Sequence, residues 1–519
     1  MPQSTRHAPL ILSELVFRGA VIRPEAEIVT RVGTQRHRQT LARTIERAAG
    51  LAHGLAERGV QPGDRVATLM WNDHCHLEAY LAVPAMGAVL HALNLRLGAD
   101  DLAWVVEDAG DSIILADRDN EDMARALADR CDGVREVVIA GQDSWEAMVE
   151  STTSYPWPSL EEEAPLGICH TSGTTGRPRG VVYTHRSTCL HTLLVSMTDF
   201  MGLSIRDRVL GVVPMFHALG WGLPYATCML GADLVLPGVR PGAEDLLDLV
   251  DHERATCAAG VPTIWNMIME AVQAQPDRWT CESLQRIVCG GGSGAAEMRR
   301  WYRDQLDVDV RRSWGMTELN PVGTGSVSEE GDDAGVPLPT LNLALKDDDG
   351  KPVPHDGRTI GRLMAHGPTV ATGYLGGGSQ VEEGWLLTGD LATISPRGEL
   401  TIRDREKDVI KSGGEWISSL ELELRINDQP GVAMSAVVAR PHPRWEERPI
   451  ALVVKTPGAS ITAEQILGSM SDLEKWQRPD DILFAEALPL TGTGKIDKHA
   501  VRSQLDEENY VLPDLRDHA

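Results

Sequence analysis

No two of the eight cysteines in this 519-residue chain stand in a C-x-x-C pair. They are spread singly, at Cys75, Cys131, Cys169, Cys189, Cys228, Cys257, Cys281 and Cys289. That spacing argues against a zinc site and a redox dithiol, and it fits a reduced, cytoplasmic setting. The triplet His74–Cys75–His76 carries ligand-type side chains. Neighbours so close in sequence do not converge on one helix face, so it is expected to be a local surface cluster and not a metal site. Positive charge is also short. Against 75 Asp and Glu stand 49 Lys and Arg, a formal net charge of -26. A nucleic-acid partner wants a basic face, so that class is set aside. Long apolar runs are missing as well. The most apolar stretch, Leu77 to Leu95, carries Glu78, Pro84 and His91. It reads as buried helix and strand, not a membrane span. The N-terminus lacks an apolar core and a small-residue cleavage site, so no signal peptide is expected. No repeat of solenoid period is visible, and no GxxxxGK[ST] phosphate loop occurs.

What is present is a rhythm. Apolar residues make up 42 % of a chain too long for one core, so two or more domains are expected. Leu41 to Arg58 shows helical spacing and stops at Gly59. "RVATLM", "DSIILAD", "VREVVIAG", "ADLVLPG" and "LQRIVCGG" are short apolar runs bounded by turn residues, with helical stretches between them. That alternation predicts an α/β fold with doubly wound parallel sheets. From about Leu341 the strands shorten and turns crowd in, which predicts a β-rich subdomain. The last hundred or so residues, with a helix expected over Ala463 to Trp476, are long enough for a small domain of their own.

One stretch carries chemistry openly. "GICHTSGTTGRPRG" runs from a strand end into a loop of glycine, hydroxyls and arginine. Glycines permit close backbone approach, successive N–H groups can wrap an anion, and hydroxyls and guanidiniums add donors. The same composition also suits a plain surface loop, and each of the following segments taken alone is more often a turn than a site; read together they suit a nucleotide. "RSWGMTEL" offers Glu318 as a Mg²⁺ ligand. "LLTGDLA" places Asp390 to accept hydrogen bonds from a ribose diol. "GGGSG" leaves bare backbone beside a planar base, and "PLTGTGKIDK" presents Lys495 from a Gly/Thr turn.

In this order the segments resemble the adenylate-forming superfamily, which includes acyl- and aryl-CoA synthetases, luciferases and peptide-synthetase adenylation domains. The resemblance spans nearly the whole chain. "PMFHALGWGLPY", "WGMTELNPVGT", "DREKDVIKSGGEWISSLELE" and "HPRWEERP" look like the medium- and long-chain fatty acyl-CoA ligase branch. It implies a large N-terminal domain at 1–403, a hinge at 404–407 and a small, mobile C-terminal α+β lid at 408–519. It implies that Thr171, Ser172, Gly173, Thr174, Thr175, Gly176 and Arg179 hold the β- and γ-phosphates of ATP. Glu318 then holds Mg²⁺, with Thr317 near the α-phosphate. Trp314 stacks on adenine, Gly291 and Gly292 line the nucleotide and acyl site, and Asp390 and Arg405 bind the ribose hydroxyls. Lys407 is the hinge pivot, and Lys495 serves the first half-reaction. His217 matches the gate between acyl pocket and second-substrate tunnel. Trp221 and Met316 are expected walls of the acid pocket, with Trp221 either shortening it or serving as core. Gly413, Gly414 and Trp416 lie on the acceptor side. Departures from the pattern are Arg179 for a usual lysine, Arg362 for a usual glutamate, and Leu95 and Ala295 for usual prolines.

The implied activity is ligation of a carboxylic acid to CoA with release of AMP and pyrophosphate. An amide-forming ligase, with an amine or amino acid as acceptor, uses the same adenylation residues. A third reading is a nucleotide-binding protein that has lost catalysis and acts as a sensor or partner module; the joint presence of Glu318, Asp390, Arg405 and Lys495 argues against it. A homodimer is among the expected partners.

Overall fold

The computed structural model describes residues 8–171, 177–292, 296–326, 333–371, 373–490, 496–508, 510 and 512. The expected Ser172–Gly176 and Lys495 lie outside the described residues. The chain divides into two compact units, the first holding 1–294, 298–342 and 366–386, the second 295–297, 343–365 and 387–519.

In the first unit the strands are β1 (Glu27–Val32), β2 (Gln35–Thr40), β3 (Arg65–Leu69), β4 (Val89–Ala92), β5 (Asp111–Ala116), β6 (Glu136–Ile139), β7 (Pro165–His170), β8 (Gly180–Thr184), β9 (Arg208–Leu210), β10 (Asp233–Leu236), β11 (Cys257–Gly260), β12 (Arg286–Gly290) and β13 (Asp309–Ser313). They form a six-stranded sheet, β6-β5-β3-β4-β7-β8, and a seven-stranded one, β13-β12-β11-β9-β10-β1-β2. Both are parallel except at one edge, where β8 runs antiparallel to β7 and β2 to β1. The strands are short and apolar because helices cover them: Ile113, Ile114, Val66 and Val209 are wholly buried.

Caps set the helices. Helix α1 spans Leu12–Ile22. Helix α2 (Leu41–Glu57) starts at Thr40, whose hydroxyl accepts the Arg43 N–H, and the chain turns out of it at Gly59 with φ 79°. Helix α3 (His74–Ala85) is capped by Asp73, and α4 (Ala99–Ala109) ends at Gly110 in the left-handed region. The His74–Cys75–His76 triplet is therefore not a surface cluster. It opens a helix buried on all sides, with Cys75 3 % and His76 0 % exposed. His76 bonds Thr68 Oγ1 at 2.9 Å and the Trp71 carbonyl at 3.0 Å.

The second unit contains the expected β-rich segment, with strands Asn342–Lys346, Gly361–His366, Trp385–Ile394 and Leu400–Arg405. A further sheet joins Glu415–Ile417, Ile410–Ser412, Glu446–Lys455 and Val432–His442, with Asp481–Phe484 beside Glu446–Lys455. The helix expected over Ala463 to Trp476 stops at Ser469, followed by a short turn at Lys475–Gln477. Among the described residues no helix is long and apolar enough to cross a membrane.

One buried histidine makes the fold acid-sensitive. His191 is fully buried, and its Nε2 accepts the Val322 N–H at 3.2 Å, so the ring must be neutral. Burial pushes its pKa down to about 3. Its contribution is complete above the ordinary value near 6.5 and is lost as pH falls through that window, by about 1.4 kcal/mol per unit. In His191→Gln the side-chain carbonyl can accept the same N–H without titrating. The drop in melting temperature between pH 7.5 and 5.5 is expected to be smaller in the variant by roughly 1–2 °C; equal drops would remove His191 from the acid response.

Candidate active site

The Gly/Thr loop springs from the antiparallel edge pair β7–β8. The Thr171 N–H donates to the Arg179 carbonyl at 2.9 Å, which closes the neck of the loop. Its arginines are held by aromatic faces. Arg177 lies 4.3 Å from the Trp104 ring centroid and Arg179 lies 4.1 Å from that of Tyr374.

Tyr374 joins the loop to Glu318. It forms an isolated bridge with Val181, and the next residue, Leu375, donates its N–H to the Gly180 carbonyl at 2.8 Å. Its hydroxyl donates to Glu318 Oε1 at 2.6 Å. Burial first, and then the Glu318 carboxylate, push the phenol above its usual range, so it stays a donor. Glu318 is 7 % exposed on a short turn, Thr317–Leu319. Its carbonyl accepts the Ala371 N–H at 2.8 Å, and that of Thr317 accepts the Tyr183 hydroxyl at 2.7 Å. The turn is thus pinned from both sides. Among the described residues no protein donor reaches Glu318 Oε2, and no cluster of three metal-ligating side chains occurs. A single fixed carboxylate with one open oxygen fits Mg²⁺, which takes one or two carboxylates and fills its shell with phosphate oxygens and water.

The neighbouring residues are placed as follows. Trp314 is buried at the end of β13, its N–H donating to Thr324 Oγ1 at 2.9 Å, and its ring packs on Gly323. Met316 donates its N–H to the Pro321 carbonyl at 2.9 Å. Gly291 has φ 77°, a conformation that favours glycine, and Gly292 packs on Pro262. After His217 the chain enters five consecutive left-handed residues, Ala218 (φ 37°), Leu219 (46°), Gly220 (60°), Trp221 (53°) and Gly222 (73°). Each non-glycine there costs about 1–2 kcal/mol. Packing holds the strained run: the Leu219 N–H meets Cys169 Sγ at 3.3 Å, and the Trp221 ring lies against Gly290, where an added Cβ would sit 2.8 Å from it. Strain of this kind gathers at binding sites.

In the second unit Asp390 and Arg405 stand opposite each other on antiparallel strands. Arg405 Nε lies 2.9 Å from Asp390 Oδ1, with Asp390 buried and Arg405 41 % exposed at its side chain. Burial lowers the pKa of Lys407. Gly413 and Gly414, with φ 61° and 89°, form the two-residue turn between Ser412 and Glu415. Trp416 follows, 37 % exposed. Arg362, a departure from the expected glutamate, pairs with Glu406 at 2.9 Å and Asp348 at 3.1 Å. Sequence reasoning missed Tyr374. It sits in a glycine-rich turn with no periodicity; its scarcity, as one of 7 tyrosines in the chain, was the only local signal.

This fold belongs to a known class. Residues 17–375 match the AMP-binding enzyme family and 421–495 match the AMP-binding enzyme C-terminal domain. The chain belongs to the AMP-binding enzyme family, and within it to the fatty acyl-CoA ligase branch. It is 39% identical to the 3-methylmercaptopropionyl-CoA ligase of Ruegeria pomeroyi, over 96% of this chain and 98% of that one. It is also 39% identical to the long-chain-fatty-acid–CoA ligase of Thermus thermophilus, over 98% of each. Among solved structures, ATP-bound MatB from Rhodopseudomonas palustris superposes with a TM-score of 0.86 at 26% identity, over 97% of this chain and 100% of that one.

Proposed function

We propose that the chain activates a carboxylic acid with ATP and passes the acyl group to CoA. In the first step a carboxylate oxygen attacks the α-phosphorus and the bond to pyrophosphate breaks, leaving an acyl-adenylate. In the second the CoA thiolate attacks the acyl carbon and the bond to AMP breaks. The adenylate is needed because a bare carboxylate repels nucleophiles and has no leaving group. The observation that carries this reading is the joined set of Arg179, Tyr374 and Glu318 at the neck of the Gly/Thr loop. Near-full-length similarity to CoA ligases supports the thiol acceptor.

In this reading Thr171 to Gly176 and Arg179 hold the β- and γ-phosphates, Thr317 lies near the α-phosphate, Trp314 stacks on adenine, and Gly291 and Gly292 line the nucleotide and acyl site. Glu318 holds Mg²⁺, which when bound offsets the charge gathering on pyrophosphate. Asp390 and Arg405 take the ribose hydroxyls. Lys407 is the pivot of a hinge at 404–407 between domains at 1–403 and 408–519, Gly413, Gly414 and Trp416 face the acceptor, and His217 gates it. A cytoplasmic homodimer completes the reading; light scattering checks the dimer. The experiment is a pyrophosphate-release screen over acids of varied length and ring size, with CoA compared against a panel of amines. AMP release driven by amines and not by CoA would overturn the acceptor.

The Trp221 ring packed on Gly290 points to a short acid pocket. Trp221→Ala is expected to shift kcat/KM towards longer acids by roughly tenfold, the scale of one or two methylenes in an apolar pocket. An unchanged preference with a lowered melting temperature would make Trp221 core alone.

A further inference from the structure

Around the end of β7 runs a chain of four titratable side chains that the adenylation chemistry does not use. Asp111 Oδ2, at the start of β5, lies 2.7 Å from His91 Nδ1 on β4. His91 Nε2 lies 2.9 Å from His170 Nδ1, at the end of β7. His170 Nε2 lies 3.0 Å from Asp108 Oδ2, near the end of α4. Asp111 and His91 are each 1 % exposed, the His170 side chain 4 % and that of Asp108 19 %.

The hydrogen bonds fix the protons. With both carboxylates ionised, His91 Nδ1 and His170 Nε2 must each carry a hydrogen, and the ring-to-ring bond needs one more. Three hydrogens on four nitrogens make one of the two rings an imidazolium. Asp111 decides which. Burial pushes the Asp111 carboxyl up and the charge of His91 pulls it back, with Arg65 acting from further off; its Oδ1 has no partner, so an ionised Asp111 needs a cation in contact, and among the described residues His91 is the group that touches it. An ionised Asp111 places that imidazolium on His91, which then donates through Nε2. His170 is neutral, accepting at Nδ1 and donating from Nε2 to Asp108. Burial, then the charge of His91, push the pKa of His170 down to about 2, in keeping with a neutral ring.

The His170 ring lies under both feet of the loop. It precedes Thr171, and it packs on Gly180, where an added Cβ would meet its Nε2 at 3.0 Å. Asp108 in turn faces Gly376, in the turn that carries Tyr374; an added Cβ there would lie 3.9 Å from its Oδ1. The chain thus ties β4, β5, β7 and α4 together at the root of the loop.

We propose that Asp111, His91, His170 and Asp108 form a positioning relay for the triphosphate loop, in which buried Asp111 holds His91 protonated and His91 orients His170 to pin both loop feet to α4. The inference rests on the reading that this loop holds the triphosphate.

Two-bond proton–nitrogen correlation spectra of histidine-labelled enzyme test the protons, with His91 and His170 assigned by single substitution. The parent is expected to show His91 protonated at both nitrogens and His170 at Nε2 only, and in Asp111→Asn His91 loses its second proton. The KM for ATP in pyrophosphate release is expected to rise about tenfold in Asp111→Asn and in Asp108→Leu, the size typical of residues that hold a ligand-bearing group in place. The KM for the acid stays near the parent value. Asp108→Asn keeps an acceptor for His170 and restores the ATP KM; Asp108 is partly exposed, so both of its variants should fold. Two neutral rings in the parent, or ATP and acid KM rising together, overturn the relay. Failure of the nucleotide reading looks different: it leaves the spectra as expected, but the ATP KM does not move and Glu318→Gln works at the parent rate.

Discussion

Lys495→Ala is expected to lower pyrophosphate release by about 10²–10³-fold while still converting a preformed acyl-adenylate to thioester near the parent rate. Carboxylate and triphosphate repel each other, and the charge on the departing pyrophosphate grows as the α-phosphorus is attacked. A cation at residue 495 offsets that charge in the first step only. The second step breaks a different bond, the acyl carbon to AMP oxygen, and pyrophosphate has left by then. Measuring the two half-reactions separately therefore isolates the lysine. Pyrophosphate release at the parent rate in Lys495→Ala would falsify its role, and equal loss in both half-reactions would assign it to structure.

The second large effect is expected at Glu318. Gln in its place keeps an oxygen for the Tyr374 hydroxyl, so the 2.6 Å hydrogen bond and the pinned turn can survive. What is lost is the charge on the open oxygen. A carboxylate holding a divalent cation contributes several kcal/mol, so adenylate formation should fall by roughly 10²–10³-fold. Raising Mg²⁺ should recover part of the rate, and the melting temperature should stay near that of the parent. A Glu318→Gln enzyme that keeps both its rate and its Mg²⁺ dependence would remove the residue from the metal site.

The parallel sheets were legible because buried strands such as "DSIILAD" are continuous apolar runs between turn residues. The Thr171–Arg179 segment stands out in the sequence for its density of Ser, Thr and Gly beside arginine, and its phosphate role belongs to the proposal. Tyr374 was not, since its partners Arg179 and Glu318 come from distant segments and meet through a turn without periodicity. The relay was hidden for a related reason. His91 and His170 are 79 positions apart and adjoin only once β4 and β7 pair in parallel register. The His74–Cys75–His76 triplet misled in the opposite way: polar residues in sequence suggested a surface, whereas α3 has no exposed side.

All eight cysteines are unpaired and buried. Six of them, Cys169, Cys189, Cys228, Cys257, Cys281 and Cys289, have thiols pushed up to about 12, chiefly by burial. Disulfide dyes react with thiolates, and these sulfurs are shielded from both solvent and ionisation. Burial also raises the thiols of Cys75 and Cys131, so the folded enzyme is expected to react little with Ellman's reagent, and the consumption of free CoA should be readable by colour in the presence of the catalyst itself.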